Sequence, residues 1–371
     1  MIDLPFFVWY NFHRGDIMPK NNYQTEEQKM NDMNAMGYVV ITDYVKANTG
    51  EDVSDAIQKV INENPHRTIY FPDGEYILAK PICTSANPEN AVSIRLSNFA
   101  TLKAADGWNH TEAMVRLGAA EPFNTIYVNG SNYYFCGGII DGNMVANGIS
   151  IDSGRETSVH NVSIKHTFIG LHIKRGANSG SSDADIETVN IVGNNKKGSI
   201  GVLVEGHDNT LTNMRIAAIQ TGVLVRASTN CFRNIHPLFI FGYEYLGEDA
   251  IDFKDSVAFL EERGNNWYDF CYSDQLATGF KLFSGSRAVL SNCFAMWYTA
   301  KGDKEVAFEC EGTFKASILN PRVHFRGDAV NRAVITGVTD RGCGFIENPI
   351  FDAELVDDKS YTEYIKGEIH W

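Results

Sequence analysis

Between Tyr243 and Trp267 the chain gathers the residue types that sugar chemistry uses. Seven carboxylates (Glu244, Glu248, Asp249, Asp252, Asp255, Glu261 and Glu262) stand beside Tyr243, Tyr245 and Trp267. One acid can protonate a leaving oxygen while a second carboxylate attacks or activates water, and flat rings pack on sugar faces. The expected pair is Asp249 and Asp252, with Glu248 as the nearest substitute. Arg215, His236, Tyr243 and Lys281 are expected to contact the sugar, with Arg226 as a further cation and Trp267 as a stacking platform. An acidic loop is also what a merely solvated loop looks like, and seven acids are more than any site requires.

These residues belong to a repeat. Gly148-Ile-Ser-Ile-Asp, Gly170-Leu-His-Ile-Lys, Gly201-Val-Leu-Val-Glu, Gly222-Val-Leu-Val-Arg and Gly279-Phe-Lys-Leu-Phe share one frame, and Ala250-Ile-Asp-Phe-Lys fits it with Ala for Gly. A second phrase follows each, 12 to 18 residues on, opened by Asn161, Thr188, Asn213, Asn234, Asn266 and Asn292. Two short alternating strands returning every 21 to 31 residues predict a β-solenoid, whose turns bury inward side chains against one another. The expected fold is all-β: a single right-handed parallel β-helix of roughly ten coils with an N-terminal helical cap. Ile149, Ile151, Leu171, Ile173, Val202, Val204, Val223, Val225, Ile251 and Phe253 should point inward.

Outward residues then stack in columns about 4.8 Å apart. The first strand gives Ser150, His172, Leu203, Leu224, Asp252, Lys281 and, two residues on, Asp152, Lys174, Glu205, Arg226, Lys254, Phe283. The second strand gives Ser163, Asn190, Arg215, His236, Tyr268, Phe294. Asp152, Lys174, Glu205 and Arg226 read as a solvated ladder of opposite charges, each pair contributing under about 1 kcal/mol. Arg215, His236 and Tyr268 stack a cation, a titratable ring and an aromatic without a carboxylate, as a binding surface would. The connection from Asn234 to Ala250 takes 16 residues where others take 9 to 13, and loops added to a rigid scaffold are where such folds carry sites. Should Asp252 prove idle, the Lys174, Glu205, Arg226 column is the next place for chemistry.

Four segments are expected: an N-terminal extension over 1–40, a cap over 41–90, the solenoid over 91–355 and a polar tail over 356–371. The extension holds a capping box at Thr25-Glu-Glu-Gln28 with Met30, Met33 and Met36 on a short helix. Asp52 caps a second helix bearing Val53, Ala56, Ile57, Val60 and Ile61 on one face. Strands flank the Pro72-Asp-Gly74 turn. Strand, capped helix and Tyr70-Phe-Pro-Asp-Gly-Glu-Tyr76 together resemble the N-terminal cap of the pectate-lyase-like superfamily of right-handed parallel β-helices. That group includes polygalacturonases, pectate lyases, inulin fructotransferases and tailspike depolymerases. The resemblance implies a carbohydrate-active protein, and the trimers of some members make a homo-oligomer, a trimer above all, the expected assembly. The polygalacturonase motifs are incomplete here: Gly247-Glu-Asp249 stands for Gly-Asp-Asp, Gly206-His-Asp208 for the histidine motif, Ser163-Ile-Lys165 only approximates Arg-Ile-Lys, and Asn-Thr-Asp is missing.

Composition narrows the partners. With 46 acidic against 32 basic residues the net charge is −14, which argues against nucleic acid and anionic membranes. No apolar run reaches the roughly 18 residues of a membrane span. The first residues lack a signal peptide, so the expected location is the cytoplasm, or outside the cell if a signal was removed. Seven cysteines in no C-x-x-C spacing predict buried free thiols, with Cys293 inward. No P-loop, G-x-S-x-G or H-E-x-x-H occurs, so neither cofactor nor metal is expected. The leading expectation is a hydrolase of an oligo- or polysaccharide. Two alternatives stand beside it: a lyase on uronic acids using Arg226, Lys281 or His236 as base and charge neutraliser, and a non-catalytic glycan-binding or tailspike-like module.

Overall fold

The computed structural model describes residues 37–119, 134–175, 181–240, 248–298, 304–326, 331–351 and 360–370. The helix expected in the first 36 residues, and the aromatic start, lie outside these. The described chain winds into a right-handed parallel β-helix. Ten parallel strands, from Ile82–Cys83 through Thr221–Val225 to Asn331–Asp340, form one sheet, and the remaining rungs form a second system that bends along its length. Ile149, Leu171, Val202, Val223, Phe259, Phe280, Phe308 and Ile335 stack rung on rung inside the first sheet, all nearly inaccessible.

The bend of the second system sits on one residue per coil. Asn161, Thr188, Asn213, Asn234, Phe270, Asn292, Asn320 and Asn348 take φ between 47° and 56°. Asparagine tolerates this left-handed region better than other side chains with a β-carbon. Stacked amides then bond one another, Asn234 Nδ2 to Asn213 Oδ1 at 2.8 Å and Asn320 Nδ2 to Asn292 Oδ1 at 3.3 Å. Apart from Asn266, the residues that open the second phrase are therefore bends inside the strand, with strand on both sides.

Four expectations need correction. The rung after Thr221–Val225 is Val257–Glu261, because Val223 pairs with Phe259 and Leu224 with Leu260. Ala250-Ile-Asp-Phe-Lys254 lies in the preceding corner, so Asp252 caps a short 3₁₀ turn over Phe253–Asp255 and Phe253 joins no strand. The bend of the next coil falls at Phe270, not Asn266, which turns Tyr268 inward and puts Tyr272 opposite His236. Ala56 is exposed, while Ile57, Val60 and Ile61 are buried on the helix Ser54–Glu63. The parallel ladder also runs past 355, since Ile365–Lys366 pairs with Phe345–Glu347.

The cap does what its position requires. Asp52 Oδ1 accepts from the Ser54 amide at 3.0 Å and from the Ala79 amide at 3.0 Å, tying helix start to strand end. Gln58 reaches the edge strand of the ten-stranded sheet, its Oε1 accepting from Cys83 N at 2.7 Å and its Nε2 donating to Cys83 O at 2.9 Å. An open edge that would template aggregation is closed in this way. All seven cysteines are free, and burial pushes the Cys271 and Cys310 thiols up to about 12.

A second amide ladder runs inside the opposite corner. Asn209 Nδ2 donates to Asn230 Oδ1 at 2.9 Å, Asn230 Nδ2 to Asn266 Oδ1 at 3.2 Å, and Asn266 Nδ2 to Glu261 Oε2 at 2.8 Å. Glu261 occupies an inward place between Val225 and Leu282, and it also accepts from Tyr268 OH at 3.0 Å and from Ser286 Oγ at 2.5 Å. Burial raises its carboxyl above the ordinary 4.5, although the three hydrogen bonds pull the other way. Below the ordinary value the carboxyl is protonated folded or unfolded, and no penalty arises. Stability falls as pH rises from there through the raised folded value, because the folded state resists giving up the proton. Glu261→Gln keeps the acceptor and cannot ionise. The variant is expected to match the parent below pH ~4 and to melt progressively higher than it as pH rises to neutrality. The difference should approach roughly 1.4 kcal/mol per unit of raised pKa, read from denaturant or thermal melts across pH.

Candidate functional site

The outward column of the ten-stranded sheet reads Arg116, Ser150, His172, Leu203, Leu224, Leu260, Lys281, Glu309 and Thr336. Beside it runs Asp152, Lys174, Glu205, Arg226 and Glu262, each just past its strand. Their amides keep the rung spacing, with Lys174 N donating to Ile151 O at 2.9 Å, Glu205 N to Ile173 O at 2.8 Å and Arg226 N to Val204 O at 2.8 Å. Acid and base alternate, and the ion pairs form: Lys174 to Asp152 at 2.9 Å, Arg226 to Glu205 at 3.4 Å and Arg226 to Glu262 at 2.7 Å. Arg116 adds a contact of 2.6 Å to Asp152.

His172 breaks the pattern of paired opposite charges. Its Nε2 lies 2.9 Å from Glu205 Oε2 and its side chain is 20% exposed. Burial depresses its pKa by more than Glu205 raises it, so the ring is neutral near pH 7. With Nε2–H directed at the carboxylate, Nδ1 carries the free lone pair, and it makes no hydrogen bond among the described residues. Glu205 is itself held below the usual carboxylate range: burial pushes it up, but the bonds from His172 and Arg226 outweigh that. A carboxylate fixing the tautomer and direction of a neutral imidazole is the arrangement of a general base and its orienting group.

Next to this pair, Arg175, Glu205, Arg226, Glu262 and Arg263 line a hollow of about 420 Å³. Arg175 and Arg263 make no ion pair among the described residues, so the hollow is locally cationic on a strongly acidic chain. A second hollow of about 570 Å³ lies at the far end of the same sheet, lined by Lys304, Glu309, Arg332 and Thr336 among others. There Glu309 accepts from Lys281 at 2.8 Å and from Lys304 at 2.5 Å. Asp152 and Glu309 are held low in the same way as Glu205, burial being outweighed by cations and hydroxyls.

The residues singled out in the sequence are not brought together. Arg226 lies just past the Leu224 rung of the ten-stranded sheet, and Lys281 faces out two rungs further on, with Leu260 between them. Arg215 and His236 share a column beyond the asparagine bend, and Trp267 lies on the other side of that bend, half exposed. Glu248, Asp249 and Asp252 are exposed in the long corner, Asp252 paired with Lys254 at 3.1 Å. That corner reaches back past its neighbour, Lys197 N donating to Asp249 O at 2.9 Å and Ile251 N to Asn195 O at 3.2 Å. Tyr243 lies outside the described residues. The His172–Glu205 pair was missed because it is diagonal: it joins one column to the next coil of the other.

A family model described as rhamnogalacturonase A/epimerase, pectate lyase-like, matches residues 38–236, more than half of the chain. The chain belongs to this family. No curated protein matches the sequence. Among solved structures it is similar to ORF18 of Geobacillus virus E2, with a TM-score of 0.60 and 14% identity over 88% of this chain and 63% of that one. It is also similar to the tailspike gp49 of Acinetobacter baumannii bacteriophage Fri1, a capsular polysaccharide depolymerase, at 0.57 and 11% over 90% of this chain and 62% of that one. A third likeness is to PfbA, a surface adhesin of Streptococcus pneumoniae, at 0.52 and 10% over 85% and 86%. The chain thus spans less than two thirds of the two viral proteins, and at such identities the likeness is one of fold.

The His172–Glu205 pair has a direct physical signature. Followed by NMR, His172 should titrate below the ordinary imidazole value of 6.5. Glu205→Gln removes the one neighbour that bonds and favours the charged ring, so the midpoint should move further down. An upward move would mean that burial is not what holds the ring neutral.

Proposed function

We propose that the chain binds an acidic polysaccharide on the outer face of the ten-stranded sheet and cleaves it by elimination beside a uronic-acid carboxylate. The observation that carries this reading is the neutral His172 imidazole, oriented by Glu205 at 2.9 Å, next to a hollow lined by three arginines. Arg175, Arg263 and Arg226 supply the charge that binds a uronate carboxylate and stabilises the negative charge developing on it. His172 Nδ1 takes the C5 proton, the electron pair left behind becomes the C4–C5 double bond, and the C4–O glycosidic bond breaks. The leaving oxygen takes its proton from solvent. The family description and the polysaccharide named for the Fri1 tailspike support a carbohydrate substrate.

Hydrolysis by a carboxylate pair needs one protonated acid. Asp152, Glu205 and Glu309 are all held in the ionised form, which leaves such a role to the exposed corner residues Glu248, Asp249 and Asp252. Asp252 too is held low, by its hydrogen bond with Lys254 first of all. Elimination requires no carboxylic acid and therefore suits this face better.

Screening the purified chain against polygalacturonate, rhamnogalacturonan, alginate and neutral glucans separates the readings. The expected result is ultraviolet absorbance from an unsaturated uronate on an acidic polymer. His172→Ala should lower turnover at least ~100-fold, the lower end of a general-base contribution, without moving the melting temperature much. Asp252→Asn should leave turnover within a factor of two. Saturated reducing ends, lost in Asp252→Asn and retained in His172→Ala, would overturn elimination in favour of hydrolysis at the corner.

A further inference from the structure

The second sheet system carries a feature that the His172 face does not use. Beyond the asparagine bend, Arg215, His236, Tyr272, Phe294 and Arg322 succeed one another on consecutive rungs. The rings form a stack: His236 on Tyr272 at 3.6 Å between centroids, Tyr272 to Phe294 at 6.1 Å, with the Arg322 guanidinium 5.2 Å over Phe294. Arg215 and Arg322 are exposed, and neither makes an ion pair among the described residues. Over these rungs that column and the one two residues on, Ala217, Leu238, Asp274, Met296 and His324, contain one carboxylate, Asp274. The contrast with the ten-stranded sheet is sharp, because there nearly every cation of the column has its acid.

Two polar atoms in this patch lack partners among the described residues. His236 Nε2 meets Asp274 Oδ2 at 3.3 Å, and the His236 side chain is only 10% exposed. His236 Nδ1 and Asp274 Oδ1 are buried without a hydrogen bond among the described residues. Buried polar atoms are nearly always satisfied, so an orphaned donor or acceptor here calls for a hydrogen-bonding occupant. Four rungs separate Arg215 from Arg322, about 19 Å at the rung spacing of parallel strands.

We infer that this column is an ancillary binding surface for an acidic polysaccharide segment lying along the solenoid axis, separate from the ten-stranded face. Carboxylates of the glycan pair with Arg215 and Arg322 at the two ends of the ring stack. The exposed edges of Tyr272 and Phe294 cover the apolar side of the sugars. Two guanidiniums without acids among the described residues are complementary to an anionic polymer. The inference rests on the acidic-polysaccharide reading above and extends it to a second face, on which a long polymer is held while another stretch is processed.

The test is equilibrium binding of polygalacturonate, alginate and hyaluronate, with dextran as the neutral control, to the full chain and to the double variant Arg215→Gln/Arg322→Gln. Both positions are exposed, so the fold should survive, and equal melting temperatures establish that it has. The double variant should bind the preferred long acidic polymer at least tenfold more weakly and with less dependence on salt. Its turnover of short oligosaccharides, which reach only one face, should stay at the parent level. Phe294→Ser, which opens the ring stack and leaves both arginines in place, should weaken binding by a smaller factor. Unchanged polymer affinity in the double variant, with affinity lost in Arg175→Gln/Arg263→Gln, overturns the second surface and leaves the first intact. A change of molecular mass in solution on making the double variant also overturns it, in favour of contact between copies of the chain. If the parent binds none of the acidic polymers, the acidic-polysaccharide reading itself fails, and the second surface with it.

Discussion

The parallel backbone ladder governs everything else in this molecule. Each rung hydrogen-bonds the next in register, so every side chain meets its counterpart one rung away at the strand spacing of about 4.8 Å. Inside, that forces like on like, as in the column Ile149, Leu171, Val202, Val223, Phe259, Phe280. Near the start of the strand Ile200–Val204 the constraint is steric: a β-carbon on Gly201 would lie 2.5 Å from the carbonyl oxygen of Gly222 and 2.3 Å from a methyl of Ile216. At the bend it is conformational, and at the opposite corner it is polar, where Asn209, Asn230 and Asn266 bond one another in turn. A single coil could satisfy none of these alone, since each partner is supplied by the next coil.

The same stacking builds the candidate site. Solvated ion pairs contribute little to stability, typically ~0–1 kcal/mol, so the outward charge ladder is poorly explained as reinforcement of the fold. It does fix positions. Glu205 is bonded from one side by His172 and from the other by Arg226, both set by strands whose registers are determined in the core. The imidazole is therefore oriented by elements that cannot shift without disturbing inward stacks on both sides. Partial burial keeps the ring neutral, while the bonds from His172 and Arg226 outweigh burial at Glu205 and keep that carboxylate ionised.

Much of the fold was legible because the Gly-x-x-x frame and the alternation of apolar residues are local consequences of the ladder. Ile149 through Val225 could be assigned to the interior on that ground alone, and the cap could be read from Asp52 and the Pro72-Asp-Gly74 turn. The frame failed where a competing segment imitated it. Ala250-Ile-Asp-Phe-Lys254 alternates properly and sits beside the true rung Val257-Ala-Phe-Leu-Glu261, whose last residue places a carboxyl inward. Pattern alone prefers the first segment, because a charged residue in a core column is costly unless it is satisfied. The network that satisfies Glu261 comes from Asn266, Tyr268 and Ser286, two of them in the next stretch of the same coil and one beyond the following rung, and no local window contains it. The bend at Phe270 was hidden for a related reason, as the amide that marks the bends before and after it, Asn234 and Asn292, is replaced there by a ring.

That one displaced register explains why the sequence pointed to the wrong neighbourhood for Asp252. With Asp252 on a strand, the acidic corner would have faced the ten-stranded sheet as part of its columns. With Leu260 there instead, the middle of that sheet is apolar, Leu203, Leu224 and Leu260 in succession, between His172 on one side and Lys281 on the other. This apolar strip runs beside the polar column Glu205, Arg226 and Glu262 on the same coils, so apolar surface and charge lie side by side across the strands. Water leaves the apolar strip more readily than the charged column beside it. The solenoid achieves this arrangement simply by changing the residues at outward positions from coil to coil, while the inward positions that hold the coils together stay nearly constant.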